Sequence, residues 1–67
     1  MTKEKAVAQA TKIAKRDKME MAVANDPISN AEEEEGTWGF CPNMCRADDG
    51  KLILYRWAIE VIIIKPS

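Results

Sequence analysis

The sequence of 67 residues contains no histidine. Histidine is the usual general base near neutral pH, the commonest metal ligand and the partner of catalytic cysteines, so its absence argues against all three kinds of site. Only three glycines are present, and none belongs to a Gly-x-Gly-x-x-Gly or Gly-x-x-x-x-Gly-Lys pattern, so no phosphate-binding loop is expected. We therefore expect a protein that is not an enzyme and that uses no cofactor.

Long uncharged apolar segments are also missing. The longest apolar run, residues 52–64, contains Arg56 and Glu60, whereas a membrane span needs about 20 predominantly apolar residues. The basic start of the chain is not followed by the apolar run of a secretory signal, because Lys12 and Lys15 interrupt it. These features predict no membrane association and a cytoplasmic location.

The composition is that of a folded protein. Hydrophobic residues make up 46% of the chain and charged residues 31%, which differs from the low hydrophobicity and high net charge of disordered segments. A chain this short is expected to form a single small domain over residues 1–67. Its core is marginal, since such a domain buries only about 60% of the surface of its unfolded chain. Binding of a partner or of a second copy would add to its stability.

The net charge of −1 conceals two oppositely charged segments. Residues 1–18 contain six basic and two acidic side chains, a charge of +4. Residues 19–36 contain six acidic side chains and no basic ones, a charge of −6. The first segment suggests an acidic partner and the second a basic one.

The first half of the chain is predicted to contain a helix and a strand. Apolar side chains at Val7, Ala10, Ile13 and Ala14 follow helical spacing, which predicts a helix over residues 3–17 with Thr2 as its N-cap. The spacing then changes to every second residue at Met19, Met21 and Val23, which favours a strand over residues 19–25. The alternative is a longer helix over residues 3–25 followed by a β-hairpin.

The second half is predicted to contain two more strands. Pro27 opens an acidic loop over residues 26–36, and a short strand follows over residues 37–41. The Asp49-Gly50 pair predicts a turn within residues 42–51. Unbroken alternation of β-branched and aromatic residues predicts a long strand over residues 52–64.

Together these elements predict an α+β fold, with one N-terminal helix packed on a three-stranded antiparallel sheet. The helix is expected to cover the sheet face that carries Met19, Met21, Val23, Trp38, Phe40 and the alternating residues from Ile53 to Ile63. A helix of about 15 residues is roughly 22 Å long and cannot cover both faces of the sheet. The other face is therefore expected to be open.

The main functional hypothesis is a small accessory or inhibitory protein that binds another protein, or a second copy of itself, through the open sheet face or a sheet edge and through the acidic loop. Few charges lie on that face, and aliphatic side chains dominate its last strand. The predicted binding residues are Leu54, Arg56, Ala58, Ile62 and Ile64 of the sheet and Glu32, Glu33, Glu34 and Glu35 of the loop.

Two alternative functions follow from other side chains. The outward residues of the helix, Lys5, Lys12, Lys15 and Arg16, are suited to a phosphate backbone and suggest a nucleic-acid-associated protein.

Cys41 and Cys45 suggest a thiol module, or half of a zinc site that a second chain completes. Structural zinc sites usually have shorter Cys spacing, and two ligands do not close a site. No metal is therefore expected, and reduced cytoplasmic thiols are the simpler interpretation.

Overall fold

A computed structural model describes all residues from Met1 to Ser67. The elements are helix α1, Lys3–Asp17, and strands β1, Met21–Asn25, β2, Trp38–Pro42, and β3, Glu60–Ile64. The strands form one antiparallel sheet in the order β2-β1-β3, with α1 on one face. The predicted α+β fold of one helix on a three-stranded antiparallel sheet is confirmed, and the alternative of a long helix to residue 25 is wrong.

Helix α1 begins and ends where local signals place it. The Thr2 side chain accepts a hydrogen bond from the Lys5 backbone N–H at 3.3 Å, as an N-cap does. The helix ends at Lys18, which adopts the left-handed conformation with φ 52°. Ala6, Ala10 and Ala14 are completely buried. Their small side chains let the helix axis lie close to the sheet.

Strand β1 is the centre of the molecule. It pairs with β2 on one side and β3 on the other, and its residues from Met21 to Ala24 are at most 2% exposed. Met21 and Val23 pack under α1, whereas Ala22 and Ala24 belong to a separate cluster on the other face. The strand predicted over residues 19–25 is thus present, and it begins at Met21.

The long strand predicted over residues 52–64 is wrong for its first part, because only Glu60–Ile64 is a strand. The preceding segment crosses the second face of the sheet instead, where Leu52, Tyr55 and Ala58 pack against the cluster of Ala22, Ala24 and Cys41. Small side chains on that face leave room for this cover. The chain itself therefore covers much of the face that was expected to be open.

This crossing also reverses the predicted faces of the last strand. Ile62 and Ile64 pack on the helix side of the sheet, and their alternation puts Val61 and Ile63 on the second face. The predicted faces assume one unbroken alternation from Ile53 to Ile63. The turns at residues 54–57 interrupt this alternation, so the faces before and after them cannot be derived from one another. A shift by one residue exchanges the two faces completely.

The predicted turn at Asp49-Gly50 is present, with Gly50 at φ 83°. It closes a single bridge between Arg46 and Leu52. It does not join β2 to β3 as a hairpin, because β3 pairs on the far side of β1.

Candidate functional site

The two outer strands of the sheet differ in what lies along their free edges. Along β2, the Trp38 N–H donates to the Met1 carbonyl oxygen at 3.0 Å, and the Met1 ammonium donates back to the Trp38 carbonyl at 3.1 Å. Pro42, at the end of the strand, has no N–H to offer. The β2 edge is therefore largely closed by residues of the same chain.

Tyr55 also contributes to closing the β2 edge from below. Its hydroxyl donates to the Phe40 carbonyl oxygen in a long hydrogen bond of 3.4 Å. The ring lies directly under Gly39, where an added Cβ would clash with the Tyr55 hydroxyl oxygen. A larger residue at position 39 would therefore have to displace this ring.

Along β3, the backbone groups of Val61 and Ile63 point away from the sheet. The Asp26 N–H donates to the Thr37 carbonyl at 3.0 Å, so the backbone of Asp26 faces β2. The direction alternates from one residue to the next, so the N–H and C=O of Asn25 face β3. The Ile59 N–H accordingly donates to the Asn25 carbonyl at 2.8 Å. Because this direction alternates along antiparallel strands, the groups of Val61 and Ile63 face outward.

No strand or loop pairs with these outward groups, since β1 is the single neighbour of β3. Val61 is 42% and Ile63 38% exposed. Next to them lies a groove of about 430 Å³ whose wall includes Ile28, Trp57, Ala58 and Val61. We call the outward backbone of Val61 and Ile63, together with the side chains of Ile28 and Trp57, the β3 edge site.

A buried carboxylate holds the wall of this site in place. Asp26 is completely buried, and its Oδ1 accepts the N–H groups of Ile28 at 3.1 Å and Ser29 at 2.8 Å. Its Oδ2 accepts the Ser29 hydroxyl at 2.8 Å and the Trp57 N–H at 3.1 Å. One side chain therefore fixes the two segments that carry Ile28 and Trp57.

The same hydrogen bonds decide the charge of Asp26. Burial raises the pKa of its carboxyl, but the bonds from Ser29, Trp57 and Ile28 together outweigh burial and hold the pKa below its usual value. Asp26 is thus ionised at neutral pH. Both of its oxygens remain acceptors.

The residues predicted to bind a partner do not form one surface. Arg56 and Ala58 line the groove of the β3 edge site, and Leu54 is 61% exposed outside it. Ile62 and Ile64 are half-buried on the helix side, so their prediction as residues of the open face is wrong.

The acidic loop lies at the other edge of the sheet. Glu32, Glu33, Glu34 and Glu35 line a separate groove beside Trp38 and Phe40 of β2. Glu35 accepts a hydrogen bond from the Lys5 ammonium at 2.9 Å, and this contact lowers the pKa of its carboxyl. This groove and the outward backbone of β3 are at opposite edges of the sheet, because β1 separates β2 from β3. The loop reaches both edges, since its residue Ile28 belongs to the β3 edge site and shares a further groove with Glu32 and Glu33.

The four helix residues predicted to contact a phosphate backbone are all exposed on the surface. Lys5 pairs with Glu35, and Arg16 forms a fork with both carboxylate oxygens of its neighbour Asp17. Lys12 and Lys15 make no salt bridge. These pairings reduce the positive charge that the helix offers to a phosphate backbone.

Both cysteines are free thiols. Cys41 is 2% exposed under Leu52, and burial, followed by the nearby Cys45, raises the pKa of its thiol. A raised thiol pKa lowers the fraction of reactive thiolate. No group of three or more acidic or thiol side chains is arranged to hold a metal ion.

The sequence interpretation missed Ile28, Trp57, Val61 and Ile63 as site residues. A signal for the edge was present, because Lys65 and Pro66 directly follow the apolar strand, and such residues commonly mark edge strands. No local pattern predicts Ile28 and Trp57 as site residues, because they are brought together by hydrogen bonds from their N–H groups to Asp26.

Comparisons with protein families, with curated proteins and with solved structures find no match to this chain. The single helix has neither the length nor the apolar character that crossing a membrane requires.

Proposed function

We propose that this chain is a non-enzymatic protein-binding module, which accepts an extended segment of a protein partner as a fourth strand along β3. Strand addition requires an unpaired sheet edge, whose main chain supplies the hydrogen bonds. Pockets beside the edge then select alternate side chains of the added segment. The observation that carries the proposal is the outward backbone of Val61 and Ile63 next to the groove of Ile28 and Trp57.

The character of the edge supports this role. Five residues, four of them β-branched, form β3, and Val61 and Ile63 keep about two-fifths of their surface exposed. An unprotected apolar edge is a liability that proteins usually block. The same chain blocks its β2 edge with Met1 and Tyr55, so the open β3 edge is the one that suits a partner.

The first test uses a labelled peptide of alternating valine and threonine, an extended segment with no intended side-chain specificity. Amide exchange is followed by NMR with and without this peptide. We expect the peptide to slow exchange at Val61 and Ile63 and to leave the Trp38 amide unchanged. Unchanged exchange rates at both Val61 and Ile63, even with a large molar excess of peptide, would contradict the proposal.

A matched pair of variants separates main-chain from side-chain effects. Ile63→Pro removes the outward N–H, whereas Ile63→Thr keeps it and remains β-branched. We expect the peptide to bind the threonine variant within a few-fold of the original chain and to lose binding to the proline variant. Equal binding by both variants would show that β3 does not pair with the peptide.

A further inference from the structure

We infer that the segment added to β3 is β3 of a second copy of this chain, paired antiparallel about a two-fold axis at Ile62. This inference rests on the proposed strand-accepting function of the same edge. It names the partner, which the proposed function leaves general.

The residues of β3 that direct their backbone N–H and C=O groups outward are compatible with this symmetry. In an antiparallel two-fold pair, residues that face each other lie on the same face of the sheet. Centring the pair on Ile62 places Val61 opposite the partner's Ile63, and Ile63 opposite the partner's Val61. These two residues carry the outward N–H and C=O groups, so each of the two pairs forms two hydrogen bonds, which gives four in total.

The side chains of this pairing are matched on both faces. On the second face, the partner's Ile63 lies beside Val61, at the groove that Ile28 and Trp57 line. On the helix side, Ile62 meets its own symmetry copy. Pro66 alternates with Ile62 and Ile64, so its missing N–H would face β1, and the pairing of β3 with β1 ends at Ile64.

Helix α1 contributes little to this contact. Its start lies at the β2 edge, where Met1 pairs with Trp38 and the Lys3 ammonium lies 5.5 Å from the centre of the Trp38 ring. The contact is therefore made by β3 and by the side chains beside it.

The two helices of the dimer run antiparallel on one face of a six-stranded sheet. Their underlying β1 strands are three strand spacings apart, about 14 Å, so the helix axes are too far apart for close packing, which needs 8–10 Å.

The test of this inference combines mass and amide exchange. Light scattering after size exclusion, over a wide range of protein concentration, is expected to show a monomer that becomes a dimer. Amide exchange at Val61 and Ile63 is expected to slow over the same concentrations, and Ile63→Pro is expected to remain a monomer while Ile63→Thr dimerises.

The outcomes separate this inference from the proposed function. A monomer at all concentrations whose Val61 and Ile63 amides are still slowed by the valine-threonine peptide would overturn the second-copy inference and support strand addition by another protein. A dimer in which these amides exchange as fast as in the monomer would overturn the inference as well. Neither a dimer nor peptide protection would overturn both.

Discussion

The two edges of this sheet have the same central strand as their neighbour but opposite exposure. At β2, Trp38 exchanges hydrogen bonds with Met1, and Tyr55 lies under Gly39. At β3, Val61 and Ile63 have no such cover. The difference shows that an edge strand is not open by default: this chain closes one edge with its own residues and leaves the more apolar one free.

Proline substitution in adjacent residues of β3 should give the largest contrast. Ile62→Pro removes an N–H that points toward β1 and should lower the free energy of unfolding by roughly 3 kcal/mol. Ile63→Pro removes an outward N–H and should cost about 1 kcal/mol or less in the monomer. Urea unfolding of both variants at low protein concentration measures the difference. Equal losses of unfolding free energy in the two variants would show that the directions assigned to the Ile62 and Ile63 N–H groups are wrong.

Removal of the buried carboxylate should damage the β3 edge site next. Asp26→Ala leaves the N–H groups of Ile28, Ser29 and Trp57 without their acceptor, and should cost about 3 kcal/mol. Asp26→Asn keeps one oxygen and should cost roughly half as much. Urea unfolding gives the free energies, and NMR shifts locate the change. Changes centred on Trp38 rather than on Ile28 and Trp57 would count against this role.

Opening the β2 edge should have a smaller effect. Gly39→Ala places a methyl group against the Tyr55 ring and should cost about 1–3 kcal/mol as the ring is displaced. In a Tyr55→Ala background the same change should cost less, since the obstacle is gone. A double-mutant cycle by urea unfolding measures this coupling. An unchanged cost in the Tyr55→Ala background would mean that another contact restricts position 39.

Acid should weaken the β3 side by a smaller amount. The pKa of Asp26 is lowered in the folded chain, so its contribution to stability is present above the unfolded value of about 3.9 and is lost as the pH falls through the folded value. We expect stability to fall below about pH 4. The Asp26→Asn variant should show a flatter pH dependence in urea unfolding. Identical slopes would show that other carboxyls determine the acid sensitivity.

Local features of the sequence were sufficient for part of the fold. The N-cap Thr2, the helical spacing up to Ala14 and the change of spacing after Asp17 all lie within or next to the elements that they specify. Helix α1 has its predicted bounds, and β1 forms but begins two residues later than predicted. The last strand was different. Alternation continues from Ile53 to Ile63, but the Trp57 N–H donates to Asp26 and the Tyr55 hydroxyl donates to the Phe40 carbonyl, and both bonds join residues distant in sequence.

The candidate site was only partly predictable for the same reason. A sheet edge with aliphatic side chains was anticipated, and Arg56 and Ala58 do line the groove beside it. The position of the Glu32–Glu35 groove beside β2 and not beside β3 follows from the strand order β2-β1-β3, which no local pattern specifies. Whether Ile62 or Ile63 faces the helix depends on where the chain re-enters the sheet after Ala58.

The most direct test of the account is amide exchange at three residues in one sample series. With increasing protein concentration, exchange is expected to slow at Val61 and Ile63 and to stay constant at Trp38, because only the β3 edge acquires a new strand. Exchange at Val61 and Ile63 that stays fast both at high concentration and with the valine-threonine peptide would contradict the claim that β3 is the binding edge.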